Sequence, residues 1–126
     1  MPGEIVAATD DDIARFYDGA RITVPWRAKA IRLGRIVGGV GGVVQDGDGT
    51  WFAFLDVPRH LRTPVLYRHV KQGLLELAGA GATVVRATCN SDIPRADAFL
   101  RRLGFEPTQD YRGDERVWEW RCKNCR

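Results

Sequence analysis

The sequence predicts an α/β protein with a mixed central sheet, in the order β-α-β-β-β-α-β-α-β-β. Two apolar runs flank an Asp-Gly-Asp-Gly segment, which is a strong hairpin signal. A helical repeat of leucines then leads through glycines into β-branched residues, a pattern typical of a parallel βαβ crossover. The length of 126 residues, with 44% hydrophobic residues, fits a single domain over residues 1–126.

Composition excludes several classes of protein. With 28% charged and 10% aromatic residues, the chain is too apolar for a disordered protein and has no fibrous repeat. The longest apolar stretch, near residues 36–44, is interrupted by four glycines and is shorter than the roughly 20 residues of a membrane span. The N-terminus lacks a secretory pattern, and three cysteines are an odd number for a disulfide framework. We therefore expect a cytoplasmic protein with no membrane partner.

The first strand and helix are predicted at residues 4–8 and 10–19. Thr9 is a good N-cap, and three aspartates follow it where acidic side chains favour the positive end of the helix dipole. One helix face carries the apolar spacing of a buried stripe, formed by Ile13, Phe16 and Tyr17.

An antiparallel meander of strands 28–33, 35–45 and 50–57 is predicted next, with the Asp-Gly-Asp-Gly turn before the last of them. Four glycines lie in its middle strand, at positions 38, 39, 41 and 42. Glycine weakens a strand, so this concentration indicates a bulge or a close approach by a ligand or neighbouring backbone. A strand packed tightly under a helix is the alternative.

The second half predicts two further helices. Thr63 and Pro64 are typical of a sharp helix start, and the leucine repeat runs to the glycines after residue 78. A strand at 83–89, a helix near 96–103 and a terminal hairpin around residues 112–114 follow.

This order, together with three local segments, resembles the GCN5-related N-acetyltransferase (GNAT) family of acyl-CoA-dependent enzymes. The segments are residues 35–43 with the turn and strand that follow, residues 77–85, and residues 96–106 with their Leu-Gly-Phe ending. The resemblance covers nearly the whole chain and implies an acyl-CoA N-acyltransferase-like fold with acetyl-CoA as co-substrate. The small size and the preference for Arg over Lys are also reminiscent of acyltransferase-like proteins carried by bacteriophages.

The sequence departs from the family pattern at two functional positions. The family's pyrophosphate loop usually carries two small residues, mostly glycine, whereas residues 59–66 contain no glycine. Leu100 stands where the family often has its general-acid tyrosine, and Leu100 has no proton to donate. Asn90 comes three residues earlier than the family's usual asparagine.

An anion site is predicted at the start of the helix after Thr63, because free N–H groups and the positive dipole end meet there. Four of the basic residues behind the net charge of +3 lie between Val57 and Leu75, a segment with no acidic residue. The resemblance makes this a CoA phosphate site. A solvated basic helix start and a contact to a nucleic-acid backbone are the alternatives. The predicted acyl-CoA contacts are Val57, Arg59, Arg62, Thr63, Pro64, Val65, Leu66, Arg68 and Asn90.

Candidates for acid–base chemistry are few. Asp56 ends the middle strand and is the predicted general base, acting directly or through water, unless it is a solvated strand-end residue. Tyr67 is the predicted substitute acid, or else covers the helix surface. Cys89 is interpreted as a small packed residue rather than a nucleophile.

The predicted function is acyl-CoA-dependent transfer of an acetyl group to an amine of unidentified acceptor. The alternative is a non-catalytic GNAT-fold module whose basic loop binds nucleic acid or a protein. A homodimer joined by the last strands, with Trp118 and Trp120 at its interface, is a further hypothesis. Cys122 and Cys125 match half of a four-cysteine zinc site, which would need a second copy of the chain to complete it, and we favour an exposed tail with two thiols.

Overall fold

The computed structural model describes residues 3–47, 49–89 and 95–121, and the predicted order of elements is confirmed. The strands are β1 Glu4–Ala7, β2 Trp26–Leu33, β3 Ile36–Gly47, β4 Thr50–Asp56, β5 Val84–Cys89, β6 Glu106–Arg112 and β7 Glu115–Arg121. The helices are α1 Asp10–Phe16, α2 Pro64–Gly79 and α3 Ala96–Leu103, with a short 3-10 turn at Arg59–Leu61.

In the described part of the chain, one mixed sheet carries seven strands in the order β1-β2-β3-β4-β5-β7-β6. The predicted antiparallel meander β2-β3-β4 is confirmed, and β4 pairs with β5 in parallel, as the βαβ pattern requires. Every other pair of neighbouring strands is antiparallel.

The glycines of β3 have structural causes. The β2–β3 register shifts between Ile31 and Arg32, which leaves Gly38 as the extra residue of a bulge. At Gly42 an added Cβ would overlap the carbonyl oxygen of Arg27 and lie 2.6 Å from the Ala28 Cα. Both predicted features, a bulge and a close approach, are therefore present, and the close approach is made by the neighbouring strand.

Helices cover both faces of the sheet. On one face, α1 buries Ile13 against Ala30 and Val40. On the other face, α2 and α3 share a core that includes Leu77 and Leu103. The two faces can therefore be named the α1 face and the α2 face.

Two predictions about particular residues are wrong. The first helix ends at Phe16 rather than at residue 19, because Asp18 and Gly19 have positive φ angles of 54° and 87°. Trp118 does not lie at a dimer interface, since it is 4% exposed and packs inside the α2-face core with Trp120 against it. Strand β7 lies between β5 and β6, whereas β6 is an edge strand, so a dimer joined through the last strands stays a prediction.

Some sequence features gain no structural description. Asn90, Cys122 and Cys125 lie outside the described residues. Within the described part, no helix is long and apolar enough to cross a bilayer. In that same part, no group of three or more His, Cys, Asp or Glu side chains is arranged to hold a metal ion.

Asp12 anchors the start of α1 and provides a test of the fold. Its side chain accepts hydrogen bonds from Arg32 at 2.8 Å and from the Thr9 N–H at 2.9 Å, and the residue is only 4% exposed. The hydrogen bond from Arg32 lowers the pKa of Asp12 from its usual value, and the Thr9 contacts lower it further. Burial raises this pKa, but the hydrogen bonds outweigh that effect. The unfolded chain therefore binds this proton more tightly. The resulting stability is complete above the unfolded pKa and is lost as pH falls through the folded pKa.

We predict that Asp12→Asn lowers the free energy of unfolding by about 1–2 kcal/mol at pH 7, from the lost cap and charge-assisted hydrogen bond. Urea titrations between pH 2 and 7 should also show a smaller acid-induced loss of stability in the variant. Asp11→Asn is the matched control, because that side chain is 68% exposed and forms a surface ion pair with Arg15. The control should change stability by less than about 0.5 kcal/mol. Equal losses of unfolding free energy in the two variants would contradict the stabilising role assigned to Asp12.

Candidate active site

A gap opens between β4 and β5. The two strands pair at Thr50–Val84, Trp51–Val85 and Phe52–Arg86, and no pair between them follows within the described residues. Strand β4 nevertheless continues to Asp56 and β5 to Cys89. The carboxyl ends of these parallel strands therefore separate, and backbone groups of β4 on that side are left for another partner.

The loop after β4 is held by one arginine. The Nε of Arg62 donates a hydrogen bond of 2.9 Å to the carbonyl oxygen of Val57, which is itself buried. The chain between them turns through the 3-10 segment Arg59–Leu61. Arg62 therefore fixes the loop, and its terminal guanidinium nitrogens have no hydrogen-bond partner within the described residues.

The predicted start of α2 at Thr63 and Pro64 is confirmed. Thr63 Oγ1 accepts a hydrogen bond of 3.2 Å from the Leu66 N–H, and Pro64 has no N–H to offer. In the described part of the chain, the Val65 N–H has no acceptor. The Leu66 N–H, one of the groups expected to hold an anion, therefore already donates to the Thr63 side chain. The Val65 N–H remains available for an anion.

Positive charge surrounds this helix start. Arg59 and Arg68 are exposed, and the first turn of α2 contains no acidic residue. The guanidinium of Arg102 lies 4.5 Å from the centre of the Tyr67 ring, which brings a charge from α3 to the same helix. Arg102 is not among the predicted contacts, although two arginines in the last turn of α3 are a visible signal.

Asp56 lies on the α1 face and is hydrogen-bonded to Tyr17, whose hydroxyl donates to Asp56 Oδ2. The Tyr17 ring is packed edge-on against Phe16 and Phe54, at centroid distances of 4.9 Å and 6.3 Å. Burial, together with the Asp56 carboxylate, raises the pKa of Tyr17 well above its ordinary value. Tyr17 therefore stays protonated at physiological pH and remains a donor to the carboxylate.

Tyr67 is placed elsewhere. Its hydroxyl donates a hydrogen bond of 2.8 Å to the Arg102 carbonyl oxygen, and its ring meets Phe99 edge-on at 6.1 Å. These contacts connect α2 to α3 on the α2 face, whereas Asp56 faces α1. The structure therefore does not bring the two predicted catalytic residues together, and it places Tyr17 beside Asp56 instead.

The thiol at the end of β5 is not activated. Burial, then the nearby charges of Asp97 and Glu115, raise the pKa of Cys89. The thiol is therefore protonated at neutral pH, and a protonated thiol is a poor nucleophile. This environment favours the interpretation of Cys89 as a packing residue.

The terminal hairpin reaches the α1 face of β4. Arg112 places its guanidinium 4.1 Å from the centre of the Phe52 ring and 3.4 Å from Asp46. Because side chains alternate along β4, Phe52 faces the same way as Phe54 and Asp56. The side of the gap that carries Asp56 is therefore bounded by aromatic rings and by an arginine.

Comparison with solved structures identifies the fold. The chain is similar to an acetyltransferase from Bacillus subtilis in complex with CoA, with a TM-score of 0.64 at 12% identity over 95% of this chain and 99% of that chain. It is also similar to an acetyltransferase from Streptococcus agalactiae, with a TM-score of 0.67 at 16% identity over 97% and 99% of the two chains. A GNAT-family acetyltransferase from Staphylococcus aureus gives a TM-score of 0.64 at 9% identity over 76% of this chain and 67% of its own.

No protein-family model matches the sequence, and a search of curated proteins finds no match. The structural likeness, at such low identity, establishes the fold alone. The protein has the mixed α/β fold of the GNAT acyl-CoA N-acyltransferases, as the resemblance of its sequence predicted.

Proposed function

We propose that this protein is an acyl-CoA-dependent N-acyltransferase that transfers an acetyl group from acetyl-CoA to an amine. The observation that carries the proposal is the gap between β4 and β5, which opens beside the basic start of α2. The same fold is found in an acetyltransferase whose structure contains CoA.

The residues around the gap suit the phosphate groups and the amide-containing arm of acyl-CoA. Arg59, Arg68 and the Val65 N–H offer charge and a backbone donor to phosphate oxygens. The unpaired side of β4 offers backbone groups to an amide-containing arm. Pro64 removes one backbone donor from this helix start, so arginine side chains must contribute more of the phosphate contact here.

Asp56 is the proposed general base. Acetyl-CoA supplies the acyl group and the leaving thiolate. The Asp56 carboxylate accepts a proton from the amine, directly or through one water, while the amine nitrogen bonds to the carbonyl carbon and the carbon–sulfur bond breaks. Thiols have a pKa of about 8.5, so the departing thiolate recovers a proton from water at neutral pH without a dedicated acid. Leu100 in place of a tyrosine is compatible with that route.

Tyr17 is the proposed positioning residue for the base. Its hydroxyl occupies one carboxylate oxygen of Asp56 and leaves the other free for the amine. Its ring is held by Phe16 and Phe54, which fixes the direction of that hydrogen bond. An acceptor that approaches from this side meets the rings of Phe52 and Phe54, so a planar or apolar body next to the amine suits the surface.

Ligand-dependent thermal stability tests the proposal. A ligand that binds only the folded protein stabilises it by about 2.7 kcal/mol at a hundredfold excess over Kd, which corresponds to a rise in Tm of about 5–15 °C. We expect such a rise with acetyl-CoA and with CoA at millimolar concentration. An unchanged Tm in a folded sample would contradict the proposal. A rise with a short DNA duplex alone, lost at high salt, would instead support a nucleic-acid-binding module.

A further inference from the structure

A cavity lies on the opposite face of the sheet from Asp56. Its volume is about 190 Å3, and it lies between α2 and the strands β2 to β5. Most of its wall is apolar, with Ile31, Leu55, Leu66, Val70 and Leu74 among the lining side chains. Neither Tyr17 nor Asp56 contributes to it. The cavity is thus distinct from the proposed base and the face on which the acceptor would bind.

Gly73 keeps this cavity open. The residue lies in the interior of α2, where glycine costs about 0.5–1 kcal/mol relative to alanine. No close packing demands glycine here, because an added Cβ at Gly73 would meet no atom within 4 Å. The position nevertheless lines the cavity. A larger side chain would occupy space that is now available to a ligand.

A polar side chain lies on the same face of α2 as Gly73, and a second one faces it from β2. His69 precedes Gly73 by four residues and therefore lies on the same helix face. Lys29 of β2 places its Nζ 3.0 Å from His69 Nδ1. Both side chains line the cavity and are partly exposed, so they lie where the cavity meets solvent.

Lys29 and His69 together form a donor pair. Burial, followed by the charges of Lys29 and Arg68, lowers the pKa of His69, so the ring is neutral at pH 7. Its Nδ1 then accepts from the ammonium of Lys29, and its Nε2–H is a donor. No carboxylate forms an ion pair with Lys29 in the described part of the chain. The ammonium therefore has two unshared N–H groups for an anion.

Glu76 is the acidic residue of the lining, and it does not neutralise this pair. It lies seven residues after His69, about 10 Å along the helix axis. Its carboxylate accepts a hydrogen bond of 3.1 Å from Gln72. Arg27 lines the cavity as well and adds a second positive charge from β2.

We propose that the cavity under α2 binds a small aliphatic carboxylate, with its chain among Ile31, Leu55 and Val70 and its carboxylate on Lys29 and His69. An apolar protein cavity of about 150 Å3 stays dry and binds benzene. A volume of about 190 Å3 therefore suits about six to eight non-hydrogen atoms. Hexanoate has that size and charge. Binding of hexanoate does not require acyl transfer, although Val57 and Leu66 of the lining are also predicted acyl-CoA contacts.

Calorimetric titration of the purified chain with sodium hexanoate tests the site. We expect saturable binding to one site, abolished in Gly73→Leu and retained in Gly79→Leu. Gly79 is the matched control because it is the last residue of α2, has no atom within 4 Å of an added Cβ, and does not line the cavity. Absent binding to the wild-type chain, or equal binding to folded Gly73→Leu, would overturn the proposal.

The carboxylate contact is tested separately, in a variant that keeps the cavity. Lys29→Met should weaken hexanoate about tenfold or more, since it removes a charge-assisted hydrogen bond but retains a long apolar side chain. Hexan-1-ol should bind both proteins equally and more weakly than hexanoate binds the wild type. If Gly73→Leu fails to fold, Gly73→Ala with hexanoate takes its place and should show reduced affinity. Unchanged hexanoate affinity in Lys29→Met would overturn the assignment of the anion contact.

Discussion

Asp56→Asn is expected to lower kcat for acetyl transfer by about 10²- to 10⁴-fold, the usual contribution of a positioned general base. The amide keeps the shape of the side chain and can still accept from Tyr17, but it does not take a proton from an amine. Asp56 is exposed, so the substitution should leave the fold intact. The measurement is the release of free thiol from acetyl-CoA with a panel of primary amines. The thermal shift by CoA should be unchanged, because Asp56 faces away from the basic start of α2.

Two variants make this result interpretable. Asp11→Asn removes an exposed carboxylate from α1 and should retain full activity, since its partner is the exposed Arg15. Tyr17→Phe keeps the packed ring and removes the hydroxyl that contacts Asp56, so kcat should fall while KM for acetyl-CoA stays constant. Full activity of Asp56→Asn would show that Asp56 is not the base. A loss confined to KM in Tyr17→Phe would rule out a positioning role.

Stability at high pH separates the Tyr17 contact from general packing. The raised pKa of Tyr17 means that the folded state holds this proton more tightly than the unfolded chain. Its contribution is therefore complete below the ordinary pKa of tyrosine, about 10, and is lost as pH rises above that value. Tyr17→Phe has no such proton, and its stability should fall less steeply over that range.

The order of elements could be predicted because it depends on local signals. The Asp-Gly segment ends one strand and starts the next, and Thr63 with Pro64 starts α2 at the expected residue. The parallel pairing of β4 with β5 follows from the helix between them, since such strands need a crossover. Each of these signals lies within a few residues of the feature that it predicts.

Which side chains meet in the site could not be predicted, because their contacts depend on the packing of elements that are far apart in the sequence. Tyr17 and Asp56 are 39 residues apart, and the helical spacing of Tyr17 indicated only that it is buried. The alternation of Trp118 and Trp120 shows that they share a face, but not that α3 covers it. The Leu66 N–H was expected to be free, yet the same Thr63 that predicts the helix start also bonds that group.

The loss of Arg59 and Arg62 together is expected to raise KM for acetyl-CoA about 10- to 100-fold, with little change in kcat. Charge-assisted hydrogen bonds are worth about 1.5–3 kcal/mol each, and partial exposure of these side chains reduces that figure. The loop carries no glycine and only one unpaired first-turn N–H among the described residues, at Val65, so side chains must replace backbone donors there. The measurement is the dependence of the initial rate on acetyl-CoA concentration for Arg59→Ala, Arg62→Ala and the double variant.

Charge and loop geometry can be separated because, of these two arginines, Arg62 alone makes a side-chain hydrogen bond to the loop in the described structure, from Nε to the Val57 carbonyl oxygen. Arg62→Lys keeps the charge but not this hydrogen bond, so a KM near that of Arg62→Ala would assign its effect to loop geometry. Arg121→Ala is the matched control for net charge, since Arg121 pairs with Val84 at the start of β5, away from the gap. KM should rise with ionic strength in the wild type and less so in the double variant, because fewer phosphate contacts are left to screen. An unchanged KM in the double variant would place the phosphates elsewhere, with Arg68 and the α3 arginines as the remaining basic groups near the start of α2.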